Sequence, residues 1–95
     1  MSKKYIVKDE NITTYKDEKG IYCTQIRTTE HYRDSKKDAL ELINLMADGC
    51  EQFFASDKSI IVRICDDEDF KIIIIREISS SVDHIDEYRL AVLER

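Results

Sequence analysis

The chain of 95 residues has no proline, two glycines, two histidines and three cysteines. Each shortage removes a class of readings. With proline absent and glycine so scarce, no stretch has the composition of a flexible linker, and the length is that of one domain, residues 1–95. There is no glycine-rich phosphate loop, no Gly-x-Ser-x-Gly and no His-Glu-x-x-His, and His31 and His84 stand far apart in the sequence. The expectation is therefore a protein that is not an enzyme, with no catalytic residues, no metal ligands and no cofactor. Cys23, Cys50 and Cys65 are odd in number, lack Cys-x-x-Cys spacing and sit inside patterned segments, which suits buried thiols in a reducing compartment. No apolar run is long enough to cross a bilayer, and Met-Ser-Lys-Lys-Tyr is followed by no apolar stretch. No membrane partner and no secretory signal are expected, and the expected location is cytoplasmic.

Charge is abundant, and its placement is uneven. Twenty carboxylates against fifteen Lys and Arg give a net charge of −5, which argues against general affinity for nucleic acid while leaving room for a local basic patch. Residues 1–37 hold nine Lys and Arg against six carboxylates, whereas residues 38–69 hold two against nine. The middle of the chain is an acidic block.

The segment Ile60 to Ile78 carries the strongest structural signal. Two arms rich in β-branched residues flank Asp66, Asp67, Glu68 and Asp69, a carboxylate run that cannot pass through a core, so the chain reverses there as a β-hairpin. With Asp67 and Glu68 at the tip, Cys65 is expected opposite Phe70, Val62 opposite Ile73 and Ile60 opposite Ile75. Both faces of this hairpin are then apolar, so it needs cover on two sides. Upstream, Tyr5 to Val7 opens a strand, and Ile12–Tyr15 and Ile21–Thr28 read as arms of a weaker hairpin. Its loop ends at Gly20, where a positive φ is wanted.

Ser35 is placed to cap a helix over residues 36–55. Leu40, Ile43, Ala47, Cys50 and Phe54 form its main stripe, with Ala39, Leu42, Met46 and Phe53 alongside. The apolar arc spans about 160°, wider than the roughly 100° that one sheet covers, so a second element should touch the Leu42, Met46 and Phe53 edge. Gly49 would suit a place where another backbone comes close. The segment Asp83 to Glu94 reads as that element, a short C-terminal helix capped by Asp83, with Ile85, Tyr88 and Val92 on its apolar side. The expected fold is α+β: an antiparallel four-stranded sheet in the order ββαββα, one long helix packed on it and the short C-terminal helix beside it. The other sheet face is expected to be buried in a homodimer.

Three constellations can carry function. Asp66, Asp67, Glu68 and Asp69, with Asp83 or Asp86, have the oxygen ligands for a hard cation but lack calcium-loop spacing, and a solvated turn that stops hairpins from pairing explains them more simply. Lys3, Lys4, Lys8, Arg27, Arg33, Lys36 and Lys37 are interleaved with Tyr5, Tyr15, Tyr22 and Tyr32, the ingredients of a single-strand nucleic-acid platform, but Asp9, Glu10, Asp17, Glu18, Glu30 and Asp34 offset most of that charge. The third lies on the helix. Leu45 falls opposite Ile43, among Asp38, Glu41, Asp48, Glu51 and Gln52, as an apolar knob inside a charged rim.

These features point to a protein-binding module, an inhibitor or regulator whose acidic block engages a basic, nucleic-acid-binding surface of another protein. A nucleic-acid-binding module built on the basic N-terminal third is the alternative. In composition alone, the chain is similar to small phage or mobile-element inhibitors of host defence nucleases, anti-CRISPR proteins among them; no motif ties it to any such family.

Overall fold

A computed structural model describes residues 4–78 and 83–95, the side chains of Ile78 and Asp83 excepted. The elements run β1 (Tyr5–Lys16), β2 (Tyr22–Arg33), α1 (Lys36–Phe54), β3 (Ser59–Asp66), β4 (Phe70–Ile78) and β5 (Asp83–Glu94). They form one five-stranded antiparallel sheet, ordered β2-β1-β5-β4-β3, with α1 across one face.

The four-stranded ββαββα arrangement is therefore incorrect, and the expected C-terminal helix is β5, the central strand. Leu90, Ala91, Leu93, Glu94 and Arg89 are good helix formers, and Ile85, Tyr88 and Val92 recur at helical spacing, so local preference favoured the wrong state. The same segment also alternates. Tyr88, Leu90 and Val92 face α1 while Ile85, Arg89 and Leu93 face away. Pairing with β1 on one side and β4 on the other gives β5 partners along both of its edges and satisfies the inner edges of both hairpins, which a helix would leave open.

Two smaller corrections follow from register. β1 is continuous through Lys8-Asp9-Glu10-Asn11, and β2 continues through His31-Tyr32-Arg33, each paired residue for residue with the other. In the second hairpin the tip is at Glu68-Asp69 and not at Asp67-Glu68, so Cys65 meets Ile72, and a β-bulge between Arg63 and Cys65 shifts the pairing back by one residue, so Val62 meets Ile74 and Ile61 meets Ile75. Ile73 and Ile75 consequently share the α1 face with Ile61, not with Ile60 and Val62.

Other local features follow the chemistry of the chain. The Ser35 side chain accepts from the Asp38 amide at 3.1 Å, capping α1, and Gly20 takes φ 81° in the β1–β2 loop. Val7, Ile73, Ile75 and Leu90 of the sheet meet Ala39, Ile43 and Ala47 of α1, and all seven are buried. The helix of 19 residues is about 28 Å long, whereas strands of 12 residues run about 40 Å. The tip of the β1–β2 hairpin therefore extends past the helix, and β2 is exposed from Thr24 to Glu30.

The demand for two-sided cover is met on one side only within a single chain. Ile60, Val62 and Ile64 remain 49%, 47% and 57% exposed on the far face. With β5 in the sheet, no second element among the described residues lies over the Leu42, Met46 and Phe53 edge of α1: Leu42 and Met46 pack against the core, Phe53 is 82% exposed, and the space beside Gly49 is open. No helix among the described residues is long and apolar enough to cross a membrane.

Candidate functional site

The solvent side and the two long flanks of α1 hold most of the chemistry. On the outer side Leu45 is 71% exposed, and Asp38, Glu41, Asp48 and Gln52 around it are exposed as well. Five of the six residues expected there form one ridge. Glu51 turns away towards β3, and Asp48, though exposed, is paired in that direction as well.

On the β3 flank, Glu51 joins an ion-pair network. Arg63 donates from Nε to Glu51, from Nη2 to Asp48 at 2.8 Å and from Nη1 to Asp66 at 3.0 Å, and Lys71 Nζ reaches Asp66 at 2.6 Å. The hydrogen bond that Arg63 donates to Glu51, with those to Asp48 and Asp66, holds its guanidinium even more firmly protonated than usual against the opposing effect of burial. Lys71 first and Arg63 second hold the Asp66 carboxyl below its ordinary range. The network clamps the edge of the helix to the second hairpin.

The opposite flank is built otherwise. Between α1 and the floor of β1 and β5 lies a cleft of about 230 Å³, lined by Met46, Cys50, Phe53 and Phe54 above and by Asp9, Tyr88 and Leu90 below. Phe53 and Phe54 meet edge to face at 5.0 Å, and Phe54 stands 6.0 Å from Tyr88, so three rings run along it. Asp9 pairs across the sheet with Leu90 and takes the same inward side as Val7, the parity that places a carboxylate on a core-facing surface. Its Oδ1 is buried and has no hydrogen-bond partner among the described residues. Burial raises the Asp9 carboxyl above its ordinary range, partly opposed by His31 on β2.

Negative charge dominates this cleft. Burial first, then Asp9, Asp86 and Glu51, push the Cys50 thiol up to about 12, so it is no nucleophile at neutral pH. Burial, then Cys50, Asp86 and Asp9, raise the Tyr88 phenol as well, with Arg27 acting against them. Asp86 itself is 5% exposed and satisfied, accepting from Thr13 Oγ1 at 2.6 Å. Sequence reasoning passed over Asp9 because Lys8 to Asn11 looked like a break between strands. An inward-facing acid in continuous alternation was the available signal.

The other two constellations are not assembled. Asp86 lies four residues along β5 from Leu90, the partner of Lys71, and thus about 13 Å from the acidic turn. Among the described residues no three His, Cys, Asp or Glu side chains are grouped as a metal site. Strand alternation splits the basic and tyrosine set: Tyr5, Tyr15, Arg27 and Arg33 share the α1 side, whereas Lys8, Tyr22 and Tyr32 are on the far face. Tyr32 is engaged by Glu30 at 2.9 Å and lies under Arg95. Lys3 and the side chain of Asp83 lie outside the described residues.

The chain matches no protein-family model, no curated protein and no solved structure.

Proposed function

We propose that the chain is a protein-binding module, an inhibitor or regulator that docks the outer ridge of α1 on a basic surface of another protein. The observation that carries this reading is Leu45, exposed at the centre of Asp38, Glu41, Asp48 and Gln52. An apolar anchor supplies affinity once desolvated, and a rim of one sign steers the partner and sets its orientation. The complementary surface is one that holds nucleic-acid phosphates, with carboxylates taking the phosphate positions. Displacement of nucleic acid is then the regulatory outcome, as in inhibitors of the phage or mobile-element anti-defence type.

Affinity capture tests it. The chain should retain a nucleic-acid-binding protein, and the triple substitution Asp38→Lys, Glu41→Lys, Leu45→Ser should weaken that binding about tenfold or more. Equal retention by the variant overturns the reading. Retention of the chain on heparin or a single-stranded oligonucleotide, with no protein partner, replaces it with the nucleic-acid alternative.

The bare sheet face favours a second contact, with another copy of the chain. Ile60, Val62 and Ile64 lie at its β3 edge with Phe70, Ile72 and Ile74 beside them, and an apolar strip of this kind is complementary to itself across a twofold axis. Sedimentation at micromolar concentration should give a dimer that Val62→Lys dissociates. A wild-type monomer throughout contradicts this contact.

A further inference from the structure

The cleft on the β1 flank of α1 has a definite chemistry. Among the described residues its buried and unsatisfied atom is a carboxylate oxygen, Asp9 Oδ1, and its walls include Phe53, Phe54 and Tyr88. Native folds pair their buried polar groups, and this one pairs Asp86 and Lys71, so an unpaired acceptor on a carboxylate that lines an opening calls for a donor from outside.

We infer that the cleft receives a lysine side chain of the partner, its ammonium on the Asp9 carboxylate, which turns to present Oδ1, and its aliphatic stem along Phe53, Phe54 and Tyr88. The inference rests on the reading of the chain as a module for a basic partner, and it names the side chain that is read and where.

Size, charge and shape select this occupant. At about 230 Å³ the cleft falls below the roughly 300–1,000 Å³ of pockets that enclose drug-sized ligands, and it suits one extended side chain. Aromatic rings attract a cation placed over them, and an apolar stem fits their surface. The carboxylates of Asp9 and Asp86 both act on Cys50 and Tyr88 in the cleft wall, so the interior favours positive charge. Arg27 and His31 approach from β2, yet neither hydrogen-bonds Asp9 Oδ1. One buried acceptor suits the point charge of lysine, whereas a guanidinium seeks two oxygens in a fork. Position agrees too: Phe53 is two turns beyond Leu45, about 12 Å along α1, with open space at Gly49 between them. A partner seated on the ridge reaches the opening.

The test is an NMR titration of the folded chain with three probes, the peptides Gly-Lys-Gly and Gly-Arg-Gly and the neutral n-butanol. Gly-Lys-Gly should shift the backbone amides of Asp9, Cys50 and Tyr88 saturably and more tightly than Gly-Arg-Gly, and n-butanol should leave them unmoved. Asp9→Asn, which preserves shape, should weaken the lysine response about tenfold or more. Phe53→Ala, at an exposed position that folding does not need, should weaken it several-fold. No saturable response, equal response to n-butanol, or an unchanged response in Asp9→Asn overturns the inference. The two proposals fail separately. If Asp9→Asn binds the captured partner as well as the native chain does while the ridge variant does not, the cleft inference falls and the ridge reading stands. If the lysine response is lost in Asp9→Asn but the ridge variant still holds its partner, the reverse follows.

Discussion

Towards β3, α1 ends in an ion-pair network in which Arg63 gathers Asp48, Glu51 and Asp66, and Lys71 closes on Asp66. Towards β1 and β2 the same helix ends in exposed Phe53 above an unpaired Asp9 oxygen. Both flanks bring carboxylates against an apolar sheet, and only towards β3 do cations hydrogen-bond them; Arg27 and His31 on the other side leave Asp9 Oδ1 unpaired. Where the demand comes from the fold alone, the chain meets it from its own residues. The buried acceptor left unpaired beside a row of aromatic rings is the group that the proposed lysine would satisfy.

Ile43 lies under both flanks, so its loss gives the largest effect and tests whether they share one core. Ile43→Ala should cost about 2–5 kcal/mol in urea unfolding, with a single transition retained. Two separate transitions would mean that the flanks are independent units and would break the comparison. A smaller effect is confined to the closed flank. Arg63→Met keeps most of the side-chain stem but leaves Asp48, Glu51 and Asp66 without their shared guanidinium, and should lower stability by about 1–2 kcal/mol at low salt. In 1 M salt the loss should shrink, because screening then acts on the repelling carboxylates. An unchanged midpoint at low salt would show that the network clamps nothing.

What was legible in the sequence divides along similar lines. The helix was readable at both ends, since Ser35 caps it and its apolar stripe is periodic. The two hairpins were readable from the acidic turn and from Gly20. β5 was not, because Tyr88 to Leu93 satisfies both a helical and an alternating pattern, and the choice is made by the unpaired edges of β4, its neighbour in sequence, and of β1, at the other end of the chain. The bulge at Ile64 carries no local mark, and it alone decides which isoleucines face the core. Five of the ridge residues were found because exposure on a helix follows from angle. Asp9 was passed over because its inward direction depends on β1 being continuous, which pairing with both β2 and β5 enforces.

The central claim is that Asp9 keeps its carboxyl partly buried with Oδ1 unpaired, at the expense of stability. Its carboxyl lies above the ordinary 3.8 in the folded chain because of burial, so protonation removes the penalty and ionisation restores it. The penalty is absent below the unfolded-state value, grows as pH rises through it and is complete above the folded-state value. The direct measurement is the unfolding free energy of the native chain and of Asp9→Asn at neutral pH and below pH 3.8. Asp9→Asn should be more stable by about 1 kcal/mol at neutral pH, with the difference vanishing in acid. A variant less stable than the native chain at neutral pH would mean that Asp9 has a stabilising partner, and would contradict the account.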